Sequence, residues 1–247
     1  LQKSKTGNQL NTISEAIVLA GGLGTRLRSA VPDLPKCMAP VAGRPFISHV
    51  IDYYREQGIE RFVFSLGYLH EKIEEYLDTH YNNLTKTYVV EAEPLGTGGA
   101  IRLACEKALT ENILVLNGDT IFKINLEELA LAHRQYKAQC TLCLKPMQNF
   151  DRYGVVELNQ DSSVKSFLEK KYYEKGNING GVYALNRMEF AQKNFPAKFS
   201  FEKDYLEKEF QNGKLYGLVQ DAYFIDIGIP EDFEKAQVEL AGIGEKR

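Results

Sequence analysis

Tryptophan is absent from this chain, and methionine (three residues), histidine (four) and cysteine (four) are scarce. The cysteines, Cys37, Cys105, Cys140 and Cys143, are too few for a disulfide scaffold at this length. They form a single C-x-x-C, where a structural zinc site usually needs two ligand pairs. Cys140 and Cys143 fall in a strand-like run whose three-residue spacing sends them to opposite faces, so reduced, structural thiols are expected. Neither charge sign is in excess: 30 Lys+Arg stand against 33 Asp+Glu, giving a net charge of −3 and a pI near 5.9. No basic field exists for phosphate-backbone binding, and nucleic acid is excluded as a partner. No apolar run approaches the ~18 residues of a membrane span. The opening Leu1-Gln2-Lys3-Ser4-Lys5-Thr6-Gly7 also lacks a signal-peptide core, so a cytoplasmic protein with no membrane partner is expected. Internal repeats, low-complexity segments and Pro/Gly/Ser linkers are missing as well.

What is present is globular. The 247 residues, 44% hydrophobic and 26% charged, suit one large α/β unit or two small domains. Residues 1–13 are polar and aperiodic and read as a flexible tail, and 14–247 as a single domain. Apolar runs at Ala16–Ala20, Phe62–Leu66, Tyr88–Val90 and Ile113–Leu116 read as strands. They alternate with amphipathic stretches at Pro45–Glu56, Glu71–Leu77 and Thr97–Leu109, which predicts a mainly parallel sheet covered by helices on both faces. A helix at Leu126–Tyr136 then leads into strands at Cys140–Leu144, Gly154–Leu158, Ser163–Leu168 and Gly181–Leu185, a mixed or antiparallel half. A helix at Glu202–Phe210, strands at Tyr216–Val219 and Tyr223–Ile225, and a helix at Pro230–Leu240 complete the chain.

Several constellations carry chemistry. Directly after the first strand comes Ala20-Gly21-Gly22-Leu23-Gly24-Thr25-Arg26, where clustered glycines let backbone N–H groups approach phosphate oxygens and Arg26 adds a bidentate cation. It is neither the Walker loop nor the dinucleotide fingerprint, and a tight turn that merely needs glycine is the competing reading. Lys36, between Pro35 and Pro40, is a stiffly mounted point charge suited to a transferring phosphoryl group, or else a solvated lysine. In Glu93-Pro94-Leu95-Gly96-Thr97-Gly98-Gly99, the helix start and Thr97 could read a base edge or an anion, with Thr97 also a natural N-cap. Asp119 and Asp226 each follow an apolar strand, where open α/β sheets bind ligands, and two such carboxylates suit Mg²⁺. Glu169 and Lys170 can both face a pocket only if their strand ends by Leu168.

In this order, the Gly-Gly-x-Gly-Thr-Arg loop, Pro35-Lys36, Leu95-Gly96-Thr97-Gly98-Gly99, Asn117-Gly118-Asp119, Tyr153-Gly154-Val155-Val156-Glu157, Glu169-Lys170 and Asp226-Ile227-Gly228 resemble the sugar-1-phosphate nucleotidyltransferase family from Ala16 to Ala241. The resemblance implies an α/β, Rossmann-like three-layer nucleotide-diphospho-sugar transferase fold with a mixed, mainly parallel central sheet. It implies that Ala20, Gly21, Gly22, Glu93, Gly98 and Thr97 recognise the base, and that Gly24, Thr25 and Arg26 hold the β and γ phosphates. Lys36 would act at the α-phosphorus, Lys170 would hold the sugar phosphate, and Asp119 and Asp226 would ligate Mg²⁺. Gly154, Glu169, Asn179 and Glu202 would bond sugar hydroxyls. The substrates would be a nucleoside triphosphate and a sugar 1-phosphate, most nearly GTP and a manno-configured heptose 1-phosphate. A mannose 1-phosphate or N-acetylmuramate 1-phosphate enzyme and a non-catalytic nucleotide-sugar sensor are the alternatives. Cys37 departs from the family's usual Pro or Gln after the lysine, a change that could soften that loop without removing the cation. With only a short stretch after Asp226, no β-helical acyltransferase domain is expected, and a homo-oligomer stays open.

Overall fold

A computed structural model describes residues 13–22 and 33–241. The chain opens with β1 (Glu15–Leu19), a 3₁₀ turn (Lys36–Met38), the short ribbon β2 (Pro40–Val41) and β3 (Arg44–Pro45), and α1 (Phe46–Glu56). β4 (Arg61–Leu66), α2 (His70–His80), β5 (Thr85–Val90), α3 (Gly96–Cys105), β6 (Asn112–Asn117), β7 (Thr120–Phe122) and α4 (Leu126–Gln135) follow. Next come β8 (Cys140–Phe150), β9 (Val155–Leu158), β10 (Val164–Leu168), β11 (Tyr173–Asn186) and α5 (Arg187–Ala191). A π-helical segment (Phe201–Leu206) runs through α6 (Glu207–Glu209) into a 3₁₀ turn (Phe210–Asn212), ahead of β12 (Leu215–Val219), β13 (Phe224–Asp226) and α7 (Pro230–Ala241).

The central sheet has the order β10-β9-β11-β6-β1-β4-β5, with β8 laid along β11 and β12 along β8. β6, β1, β4 and β5 are mutually parallel, whereas β11 meets β6, β8 and β9 antiparallel. Strand side chains alternate between faces, and so does the core. Ala16 and Val18 of β1 pack with Phe62 and Phe64 against α1 and α2, while Ile17 and Val63 pack against Ile101 and Ala104 of α3. The result is three layers. β1 leads to β4 on one side, and the chain later returns as β6 on the other, so the sheet's topological switch lies between the carboxyl ends of β1 and β6.

Some elements differ from the sequence reading. Ile13, assigned to the flexible tail, is 4% exposed and part of the core, so the ordered chain begins at or before it; residues 1–12 lie outside the described residues. β11 starts eight residues ahead of the predicted Gly181, because the chain pairs with β8 from Tyr173 to Asn179, up to an irregularity in register between Asn179 and Tyr183. Cys140 and Cys143 face opposite cores and are free thiols, as their spacing implied. No helix among the described residues is long and apolar enough to cross a membrane.

His133 of α4 is buried between Thr141, 2.9 Å from Nδ1, and the Asn112 side chain, 3.2 Å from Nε2. Burial lowers its pKa from 6.5 to about 4, against a small opposing pull from Glu189. The folded state therefore refuses a proton that the unfolded chain accepts, so stability is full above about pH 6.5 and falls as pH drops toward 4, by on the order of 3 kcal/mol. Urea unfolding at pH 7 and pH 4.5 should show this loss, with a shallower pH dependence in His133→Gln. Equal dependence in both proteins would contradict it.

Candidate active site

A cavity of about 690 Å³, a volume suited to a nucleotide-sized ligand, opens at the switch point. Its wall is built from the ends of parallel strands: Leu19 to Gly22 after β1, Ser65, Gly67 and Tyr68 at β4, Glu91 and Ala92 after β5, and Asn117 and Asp119 after β6. Lys36, Cys37, Thr97, Glu202 and Gly228 complete it, together with Pro94, Gly96 and Ala100. Ser65 Oγ is buried and has no hydrogen-bond partner among the described residues, an unspent polar group beside the cavity.

Asp119 and Asp226 come together through a contact that sequence reading did not anticipate. β7 is only three residues long and received no assignment from the sequence, yet it pairs antiparallel with β13, setting Asp226 opposite Thr120. The Ile227 N–H then donates to the Asp119 carbonyl at 3.1 Å. Lys36 Nζ reaches into the gap, ion-paired with Asp119 and 3.5 Å from Asp226 Oδ1. Gly228 permits that approach, since a Cβ there would lie 3.1 Å from Lys36 Nζ and 2.9 Å from Asp226 Oδ1. Burial, followed by the neighbouring Asp119, raises the Asp226 pKa, with Lys36 pulling the other way. Two facing carboxylates that repel each other are a good seat for a hard divalent cation, which takes its remaining oxygens from water and phosphates. The pair therefore fits Mg²⁺, although no cluster of three or more His, Cys, Asp or Glu occurs among the described residues.

Cys37 does not loosen the lysine loop. It is buried in the 3₁₀ turn, which keeps its Met38-to-Pro35 backbone bond at 2.8 Å, and burial pushes its thiol up to about 12. The thiol is an inert neighbour to Lys36 at neutral pH.

Two of the residues read as base-recognising lie outside the cavity wall. Glu93 is exposed and absent from the cavity wall; Glu91 occupies it instead. Glu91 Oε2 accepts the Leu95 N–H at 2.8 Å, Oε1 lies beside Gly21, and burial raises the carboxyl's pKa. Gly98 is also no cavity residue: its N–H donates to the Phe199 carbonyl at 3.0 Å, and a Cβ there would sit 2.2 Å from the Phe199 ring. That glycine seats a distant segment rather than freeing backbone for a base. Thr97 lines the cavity but is not an N-cap, because α3 begins one residue earlier with Leu95 as its uncapped flank.

Ala20, Gly21 and Gly22 line the cavity as expected, whereas Gly24, Thr25 and Arg26 lie outside the described residues. On the sugar side only Glu202 is in the cavity wall. β10 ends at Leu168, so Glu169 and Lys170 leave the extended alternation and are exposed. Gly154 crosses that strand end so closely that a Cβ would lie 2.5 Å from the Leu168 carbonyl oxygen. Asn179 donates to Tyr183 Oη at 2.8 Å and accepts from the Gly181 N–H at 3.1 Å.

A family model described as nucleotidyl transferase matches residues 15–242. The chain belongs to the nucleotidyl transferase family. Among the relatives of this nucleotidyl transferase, the D-glycero-alpha-D-manno-heptose 1-phosphate guanylyltransferase of Aneurinibacillus thermoaerophilus is 51% identical over 226 residues, covering 92% of this chain and 98% of that protein. The enzyme of the same name from Campylobacter jejuni is 42% identical over 219 residues, 89% of this chain and 96% of that one. The crystal structure of HddC from Yersinia pseudotuberculosis complexed with GMP-PN superposes with a TM-score of 0.83 at 35% identity, covering 92% of this chain and all of that one.

Proposed function

We propose that this nucleotidyl transferase moves GMP from GTP to D-glycero-α-D-manno-heptose 1-phosphate, releasing pyrophosphate and forming a GDP-heptose for surface polysaccharide synthesis. The placing of Lys36 and Asp119 in the cavity wall at the sheet's switch point, with Asp226 beside them at 3.5 Å from Lys36 Nζ, carries the chemistry. The choice of sugar and base rests on the full-length likeness to heptose guanylyltransferases. A sugar phosphate oxygen attacks the α-phosphorus in line with the departing pyrophosphate. That nucleophile is already ionised and needs no general base, in keeping with the absence of histidine among the described residues of the cavity wall. Two anions must meet, so alignment and charge neutralisation are the protein's main contributions. Lys36 meets the α-phosphate, Gly24, Thr25 and Arg26 hold the outer phosphates, and Lys170 holds the phosphate of the acceptor. Gly154, Glu169, Asn179 and Glu202 receive its hydroxyls. Asp119 and Asp226 hold Mg²⁺, which when bound neutralises phosphate charge. Stoichiometric pyrophosphate and GDP-heptose should appear only when GTP, the heptose 1-phosphate and a divalent cation are all supplied. Pyrophosphate release from GTP alone at the same rate would refute the transfer.

Guanine presents its N1–H and 2-amino donors along one edge, and Glu91 supplies a carboxylate beside the Gly21 backbone to accept them. A buried acceptor left unpaired costs about 1–3 kcal/mol, so inosine triphosphate, which lacks the 2-amino group, should be roughly 5- to 150-fold poorer than GTP in kcat/KM. Glu91→Gln retains an acceptor for the Leu95 N–H and should narrow that gap severalfold. An unchanged ratio would remove Glu91 from base recognition.

A further inference from the structure

The loop at Leu95–Gly99 and the segment from Phe195 to Glu202 are joined from both sides, although about a hundred residues separate them in sequence. The Phe199 N–H donates to the Leu95 carbonyl at 3.0 Å, and the Gly98 N–H returns a bond to the Phe199 carbonyl at 3.0 Å. Arg102 of α3 clamps the same segment through the Phe195 carbonyl at 2.9 Å and the Pro196 carbonyl at 3.1 Å. At the cavity end of this seam stands the Thr97 hydroxyl. It accepts the Phe201 N–H at 2.8 Å and donates its proton to Glu202 Oε2 at 2.9 Å. A hydroxyl has one proton, and this one is spent on Glu202, leaving none to donate to a base or a phosphate. Accepting from Phe201 also polarises the hydroxyl into a better donor. Ser200 Oγ adds a longer bond to the same oxygen, 3.2 Å, and Glu202 Oε1 has no hydrogen bond to a described residue.

We propose that Thr97 is a positioning residue for the acceptor sugar: its hydroxyl fixes the Glu202 carboxylate so that Oε1 faces the cavity ready to accept a sugar hydroxyl, and it does not read the nucleotide. This rests on the reading of Glu202 as a sugar ligand. Glu202 also stands near enough to Tyr183 to help raise the pKa of that phenol, and Asn179 donates to the same phenol, so two of the sugar-side residues flank one buried ring. A carboxylate held in one rotamer before the substrate arrives saves the ordering cost at binding. The hydroxyl's contribution should therefore appear in acceptor affinity.

The test measures KM separately for GTP and for the heptose 1-phosphate in Thr97→Val, Thr97→Ser, Glu202→Ala and the Thr97→Val/Glu202→Ala pair, with thermal midpoints alongside. Thr97→Val should raise the acceptor KM about 3- to 10-fold, the size of one ordinary net hydrogen bond, and leave the GTP KM within about 2-fold. Thr97→Ser should restore the wild-type value, and the Val substitution should add nothing once Glu202 is gone. If Thr97→Val does not fold, Thr97→Ala, whose smaller side chain admits water to the Phe201 N–H, should show the same split. A raised GTP KM with an unchanged acceptor KM, or equal defects in Val and Ser, overturns the inference. So does an unchanged acceptor KM in Thr97→Val where Glu202→Ala raises it, and the sugar reading of Glu202 then stands. An unchanged acceptor KM in Glu202→Ala refutes that reading, and the inference with it.

Discussion

Asp119→Ala and Asp226→Ala are each expected to lower turnover by roughly 10²- to 10³-fold or more in saturating Mg²⁺ while leaving the protein folded. The β7–β13 pairing sets Asp226 opposite Thr120, next to Asp119, and each carboxylate would supply a share of one cation's oxygen ligands. Removing either leaves too little negative charge to hold the cation against the pull of water. The fold should survive, because burial and Asp119 already disfavour the charged form of Asp226, and whichever aspartate remains keeps Lys36 as its partner. Thermal unfolding would report the fold and steady-state pyrophosphate release the rate. Full activity of either variant in Mg²⁺ would remove the metal assignment.

Lys36→Met is expected to reduce kcat by about 10²- to 10³-fold and to change the KM values much less, since the ammonium matters most as charge builds around the α-phosphorus. The side chain has little freedom to do otherwise. It projects from a 3₁₀ turn flanked by Pro35, is only 15% exposed, and its tip lies between two aspartates against Gly228. The same confinement argues against rescue by Lys36→Arg, whose wider planar group would press on the Gly228 backbone. A KM effect with unchanged kcat would return Lys36 to simple substrate binding.

The strands that end in Leu19, Asn117 and Asp226 were legible because each is a short apolar run closed by glycine and polar residues, a local signal. Lys36 stood out for its prolines and Asp119 for its place after a buried strand. What escaped the sequence depends on contacts between distant residues. β7 is too short to show alternation and exists because β13 lies beside it. The Leu95–Gly99 glycines look like a ligand loop, but Gly98 is empty of a side chain to admit Phe199, which no local pattern announces. Glu91 and Glu93 are two residues apart and equally polar. The bond from the Leu95 N–H draws Glu91 inward, and Glu93 is left in solvent.

The most direct test is a comparison of kcat/KM for GTP, UTP, dTTP and CTP with D-glycero-α-D-manno-heptose 1-phosphate as acceptor, read as pyrophosphate released. The account predicts that GTP is the best donor and that substituting any pyrimidine triphosphate leaves Glu91 without the guanine edge it accepts, with a loss of at least about tenfold. A higher kcat/KM for UTP or dTTP than for GTP would contradict it.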